Sequence, residues 1–393
     1  MSIKFKLFAA LATMSLVLGA CGKTEEKEET TKQHAEKTEK TDKHEETAEH
    51  EDADYAAVYK EAVAELEKAK EGKEVDFDKV IKSYEEHLQS LVQKRDAELE
   101  STNDQHITAA LAAGKEGSMD KVVVKQVFDK LMQKVFYTTM KHEFTEVTEN
   151  WGKTEEVKEE MEEAKNFYSI IQSTVQKRDA AYGTTMEDAI AGGFAEMEKA
   201  IEANDELGFQ LGKQVVDKTL MKTFYLATGA TPNGYATKAA DEAKTDAVAA
   251  KIEQAEGWAF YQSLTSYMMK NAPEADTLIQ KQFDLQSDVE ALDPVAINKA
   301  FVRGFAQTAI NEYHESEETW GEDKSVITGL EGALFLDIIS SDVKTLLGEE
   351  AQKTLTDKAQ KYIEATKAKD QAAGEELLNE ILTTTQMVIE KAK

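Results

Sequence analysis

Two short segments carry residue types that bind ions. His142-Glu143-Phe144-Thr145-Glu146 and His314-Glu315-Ser316-Glu317-Glu318 both read His-Glu-x-x-Glu. On a helix His142 and Glu146 stand one turn apart on one face, as do His314 and Glu318. A neutral imidazole beside a carboxylate at that spacing suits a divalent or ferric ion once a neighbouring helix adds ligands. Glu163 and Glu331, which begin two matching segments further along, are the candidates for that helix. The metal set is therefore His142, Glu146 and Glu163, with His314, Glu318 and Glu331 as its counterpart; iron, zinc or haem is the cofactor it would take. Only four His lie beyond residue 54, and two of them hold equivalent places in a repeat. The plain alternative is a His salt-linked to Glu near a helix end.

Other reactive constellations are sparse. The aromatic doublets Phe136-Tyr137, Phe167-Tyr168, Phe224-Tyr225 and Phe260-Tyr261 would bring phenols to a ferric or haem site, or serve as core with the hydroxyl at its rim. No phosphate-binding lysine loop, dinucleotide glycine pattern, nucleophile elbow or zinc-protease His pair is present, so nothing points to an enzyme. With 76 acidic residues against 47 Lys and Arg, the chain is a poor partner for nucleic acid; its charge suits a cation, or simply solubility.

The elements that must position these residues are helices. Only three prolines occur, and Val123, Val127, Leu131 and Val135 recur every fourth residue beside Val124, Phe128 and Met132, a broad apolar stripe. Leu91-Val92-Gln93-Lys94-Arg95-Asp96-Ala97 returns as Thr174-Val175-Gln176-Lys177-Arg178-Asp179-Ala180. Lys125-Gln126-Val127-Phe128-Asp129-Lys130 returns as Lys213-Gln214-Val215-Val216-Asp217-Lys218, and both copies close on Phe-Tyr, at Phe136-Tyr137 and Phe224-Tyr225. Asp120, Asp205, Asp293 and Asp370 each stand where an N-cap belongs, with Pro294 at a first helical position. Asn150-Trp151-Gly152-Lys153 and Thr319-Trp320-Gly321-Glu322 mark matching turns. These features predict an all-α fold of internally duplicated helical hairpins in two four-helix-bundle-like halves, 55–240 and 241–393. The junction follows Thr228–Gly234; an extended stack of hairpins is the other arrangement compatible with the repeats.

The first residues speak to location. Lys4 and Lys6 precede an apolar run from Leu7 to Ala20, too short to remain as a membrane span, so 1–20 reads as a signal peptide. It ends in Leu18-Gly19-Ala20-Cys21, which resembles the bacterial lipobox. That resemblance implies cleavage before Cys21 and a diacylglycerol on its thiol, hence a membrane partner and an extracytoplasmic location. Cys21 is the only cysteine, so the body has no disulfide or thiol chemistry. From Gly22 to Asp54 there is no large apolar residue, and six Lys face ten Glu and three Asp; 21–54 reads as the lipidated Cys followed by a disordered acidic tether.

A lipoprotein with an acidic Lys/Glu/Thr tether and pseudo-symmetric helical bundles resembles the imelysin-type iron-uptake lipoproteins. The Gly-x-His-x-x-Glu motif of that family is absent as such: His314 and Glu317 keep its last spacing, but Tyr313 and Glu312 precede them without the Gly. The resemblance implies fold and carries over no activity. The expected function is that of a membrane-anchored binding protein capturing a small ligand such as metal or haem. The alternative is a structural scaffold that contacts another envelope protein.

Overall fold

Seven of the seventeen α-helices among the described residues start at an Asp whose side chain caps the first turn. In the computed structural model, which describes residues 54–393, Asp54 opens α1 (Tyr55–Glu67) by accepting a hydrogen bond from Ala57 N at 2.9 Å. A 3₁₀ turn (Lys68–Glu71) leads to α2 (Phe77–His87), α3 (Gln89–Leu99) and α4 (Asn103–Glu116). Four longer helices follow: α5 (Lys121–Glu149), α6 (Thr154–Tyr182), α7 (Met186–Ala203) and α8 (Glu206–Thr228). Then come α9 (Tyr235–Glu242), α10 (Ala247–Tyr261), α11 (Thr265–Asn271), α12 (Pro273–Phe283) and a second 3₁₀ turn (Val289–Ala291). The chain ends with α13 (Pro294–Glu318), α14 (Asp323–Ile338), α15 (Ser340–Leu347), α16 (Glu349–Ala368) and α17 (Gln371–Lys391). No strand occurs among the described residues, and the fold is all-α. The expected signal peptide, Cys21 and most of the tether lie outside the described residues.

The four aspartates read from sequence as caps are caps. Asp120 accepts from Val122 N and Val123 N at 2.8 and 3.2 Å at the start of α5, and Asp205 from Gly208 N at 3.0 Å at α8. Asp293 accepts from Val295 N and Ala296 N at 2.9 and 3.0 Å beside Pro294 at α13, and Asp370 from Ala373 N at 3.3 Å at α17. Each satisfies first-turn N–H groups that the helix cannot, worth about 1 kcal/mol apiece. The two Trp-Gly turns join α5 to α6 and α13 to α14, with Gly152 and Gly321 at φ of 89° and 90°, where a Cβ would be strained.

Consecutive long helices pack side by side: α5 on α6, α7 on α8, α13 on α14, α16 on α17. Packing also crosses position 240, since α10 lies against α5 and α8, and α14 against α8; residues 54–393 form one compact unit. This places α5 and α8 centrally. Every residue from Val123 to Tyr137 is buried, as is every residue of α8 from Gln214 to Thr228. The expected apolar stripe on α5 is therefore one side of a helix enclosed on all sides, and its charged residues lie inside the protein too.

Enclosure forces the charges to pair. Asp129 Oδ2 takes the ammonium groups of Lys125 and Lys130 at 3.0 and 2.9 Å, and its Oδ1 takes Tyr59 OH at 2.5 Å and Gln133 Nε2 at 2.8 Å. Asp217 repeats the arrangement: Lys218 Nζ at 2.7 Å, Tyr137 OH at 2.5 Å, Lys141 Nζ at 3.3 Å and Tyr267 OH at 3.2 Å. Both carboxylates are held below the usual range, because the neighbouring ammonium groups outweigh the cost of burying a charge. Removing one member of such a cluster would strand buried charge, a loss of about 3–5 kcal/mol.

Candidate functional site

The repeated Gln-Lys-Arg-Asp segments shape the local frame. In α3, Asp96 reaches over the end of its helix and accepts from Ser101 Oγ (2.7 Å), Asn103 Nδ2 (2.6 Å) and Asp104 N (2.8 Å). In α6, Asp179 accepts from Thr184 Oγ1 (2.5 Å), Met186 N (2.8 Å) and Glu187 N (2.9 Å). Gln93 donates to Asp104 at 2.8 Å and Gln176 to Glu187 at 2.7 Å. Each copy thus clamps one helix end to the start of the next. They differ seven residues beyond the Asp: Asn103 in the first, Met186 in the second. The Asn103 carbonyl oxygen accepts from Lys134 Nζ at 2.9 Å.

That contact lies on the wall of a cleft of about 430 Å³, bounded by the α3–α4 turn, the middle of α5 and the segment from Gln262 into α11. Lys134, Lys141 and His142 project from α5, His106 from α4, and Ser263 and Tyr267 from the far wall. Spacing on α5 explains the shared wall: Lys134, Tyr137, Thr138, Lys141, His142 and Thr145 recur three or four apart, one helical stripe.

The electrostatics of the cleft are uneven. Lys134 is 9% exposed, and among the described residues its only hydrogen bond is to the uncharged Asn103 amide. Burial drives its pKa down to about 8 against the weak opposing pull of Asp96. Partial burial and the Lys134 ammonium lower His106, which meets Trp258 edge-on at 5.1 Å. Burial also acts against the Lys141 ammonium, but the Asp217 carboxylate and Tyr267 outweigh it and hold its pKa above the usual value. Ser263 Oγ is buried without a hydrogen-bond partner among the described residues.

The metal candidates are distributed differently from the expected sets. His142 lines the cleft, with Nδ1 at 3.3 Å from Glu98 Oε1 and Nε2 at 3.7 Å from Glu146 Oε1. The two carboxylates therefore flank opposite nitrogens of one ring, whereas a metal takes the lone pair of one nitrogen and needs its other ligands on that side. Glu163, on α6, acts on Glu143: burial and then the Glu163 carboxylate push Glu143 up to about 8. His314 Nδ1 stands 3.8 Å from Glu317 Oε2, both more than half exposed, and Glu318 is also exposed. Glu331 points elsewhere, 3.2 Å from Lys218 Nζ and hydrogen-bonded to Glu312, which burial and Glu331 raise to about 8. Among the described residues no group of three or more His, Cys, Asp or Glu is arranged to hold a metal ion.

Of the aromatic doublets, Tyr137 alone reaches the cleft wall; Phe136, Phe224, Tyr225, Phe260 and Tyr261 are core. Tyr225 and Tyr261 donate to Asp342 and Asp276 at 2.7 and 2.6 Å. Sequence reasoning missed Lys134, His106, Ser263 and Tyr267. One signal was available for Lys134. It occupies the register of Lys222, nine residues into the second repeated segment, and that pair invites a comparison of their partners. Comparisons with protein-family models, with curated proteins and with solved structures produce no match to this chain.

Proposed function

We propose that the protein is a lipid-anchored, extracytoplasmic binding protein whose helical body captures a small ligand in the cleft between α4, α5 and α11. The observation that carries this reading is a cleft of about 430 Å³ whose wall holds the buried Lys134 ammonium, which the protein itself meets with one uncharged amide. Natural interiors satisfy nearly all such groups, and sites of this volume, roughly 300–1,000 Å³, are those of small molecules. Anchoring rests on the Leu18-Gly19-Ala20-Cys21 motif; no helix among the described residues is long and apolar enough to cross a membrane. Of the metal candidates only His142 faces the cleft, so iron, zinc and haem enter as trial ligands of this one site.

The test is native mass spectrometry of the protein purified from its host, paired with membrane fractionation. A small molecule bound near one per chain, lost in Ser266→Trp, which blocks the cleft from its exposed rim, supports the reading. A ligand retained by Ser266→Trp places binding elsewhere. A ligand-free protein that cross-links stoichiometrically to an envelope protein replaces the reading with the scaffold. A Cys21→Ser protein still held at the membrane overturns the anchor.

A further inference from the structure

The walls of the cleft specify a ligand class, given that the cleft is the binding site. Lys134 and Lys222 stand in one register of a repeated segment, yet their surroundings differ. Lys222 Nζ meets Asp337 Oδ2 at 2.8 Å, brought by α14. Lys134 Nζ meets only the Asn103 amide and opens on the cleft. In a chain of formal net charge −29, a buried ammonium without a carboxylate is an exception that solubility does not explain. Lys141, two turns further along α5 and about a third exposed, adds a second ammonium to the same wall. Ser263 also lines the cleft, but its hydroxyl is fully buried and has no surface open to a ligand. Two carboxylates stand at the rim, but Arg95 holds Glu98 at 2.8 Å and His142 lies on its other side, while Glu100 is exposed at the end of α3. The rim also carries Leu99 from α3 and Met269 from α11, 48% and 58% exposed.

We propose that the cleft binds an amphiphilic organic anion, its carboxylate or phosphate head held by Lys134 and its apolar body lying against Leu99 and Met269. A cation is disfavoured there by repulsion from the Lys134 ammonium, which no carboxylate offsets; the Lys141 ammonium is already paired with Asp217. A purely inorganic anion would leave the apolar mouth uncovered. Lys134 would gain the counter-charge that Lys222 already has, and charge-assisted hydrogen bonds of this type are the strong ones.

The experiment is isothermal titration of the purified protein with octanoate and octyl phosphate, against 1-octanol and octylammonium. Both anions should bind with one site per chain and octylammonium should not. Lys134→Met should weaken octanoate by about tenfold or more, Lys134→Arg should retain most of the affinity, and Lys222→Met should change it less than about twofold. Circular dichroism melts check that each variant folds; should Lys134→Met fail, Ser266→Trp must abolish octanoate binding instead. Binding of 1-octanol or octylammonium as tightly as octanoate, displaced by Ser266→Trp, would keep the cleft as a site and overturn its anionic character. Absence of binding by all four probes overturns the amphiphilic anion, whereas the cleft as a small-ligand site falls only if the native protein also carries no molecule that Ser266→Trp removes.

Discussion

α5 and α8 carry the same short sequence and meet different fates. Both bury a Gln-Val-x-Asp-Lys segment, and both neutralise the Asp with Lys and a Tyr hydroxyl at 2.5 Å. The Asp129 cluster is sealed, with Lys125, Asp129 and Lys130 side chains all under 10% exposed. The Asp217 cluster reaches the cleft through Lys141 and Tyr267. Nine residues in, the order reverses: α8 supplies a paired lysine and α5 an unpaired one. Repetition therefore preserves the local means of burying charge, while the neighbours decide where a charge is left uncompensated. An uncompensated charge is a poor contributor to stability and a good anchor for a ligand.

The largest test of this comparison removes the shared aspartates. Asp129→Ala and Asp217→Ala should each destabilise by about 3–5 kcal/mol in urea titrations, since each strands buried ammonium groups. If one variant lost under about 1 kcal/mol, the two clusters would not be equivalent supports.

A second test uses pH. Burial, with Glu163 and Glu331 respectively, pushes Glu143 and Glu312 up to about 8 in the folded protein, from an ordinary 4.5. Each folded group holds its proton above pH 4.5 where the unfolded chain has released it. Stability from this source is thus full below about pH 4.5 and declines as pH rises through about 8. Asp129 and Asp217 act oppositely, and their contribution is lost only below pH 3.8. Melting temperature should fall between pH 5.5 and 8.5, and Glu143→Gln should recover on the order of 1–2 kcal/mol at the alkaline end. A flat profile would show that these carboxyls are ionised in the fold.

A third separates the two clamps. Asp96→Ala and Asp179→Ala should each cost about 1–2 kcal/mol through lost side-chain and cap bonds. Only Asp96→Ala should disturb octanoate binding, because Asn103 links its clamp to Lys134. Smaller still, Lys134→Met should leave stability unchanged or raise it by up to about 1 kcal/mol near pH 7, and Lys222→Met should lower it by a similar amount. Octanoate affinity should decline as pH rises through about 8, where Lys134 loses its proton beside Asn103, His106, Asp96, Ser263 and Lys141. The smallest effect belongs to the half-exposed histidines: His142→Ala and His314→Ala should change stability by less than about 0.5 kcal/mol in thermal melts.

Much of the fold was legible before any coordinates. Few prolines, four-residue apolar spacing and aspartates at helix starts led to the all-α reading and to caps that the structure contains at Asp120, Asp205, Asp293 and Asp370. The Gln-Lys-Arg-Asp repeat was visible, though its task as a clamp was not. His-Glu-x-x-Glu drew attention to His142, which does line the cleft, but the ligands offered with it face other ways. Spacing within one helix says which side chains share a face and is silent on what faces them.

The sequence by itself determined which backbone groups are capped, where the Trp-Gly turns fall, and that two segments repeat the same pattern of Lys and Asp. These are local matters, set by residues within about one or two helical turns. Only the tertiary structure decided that Asp337 reaches Lys222 while an amide reaches Lys134, and that Ser263 and Tyr267 stand across from α5. Compensation of a buried charge depends on through-space neighbours from other helices, 115 residues away for Lys222 and 31 for Lys134, so the same repeat produced one ion pair and one open site.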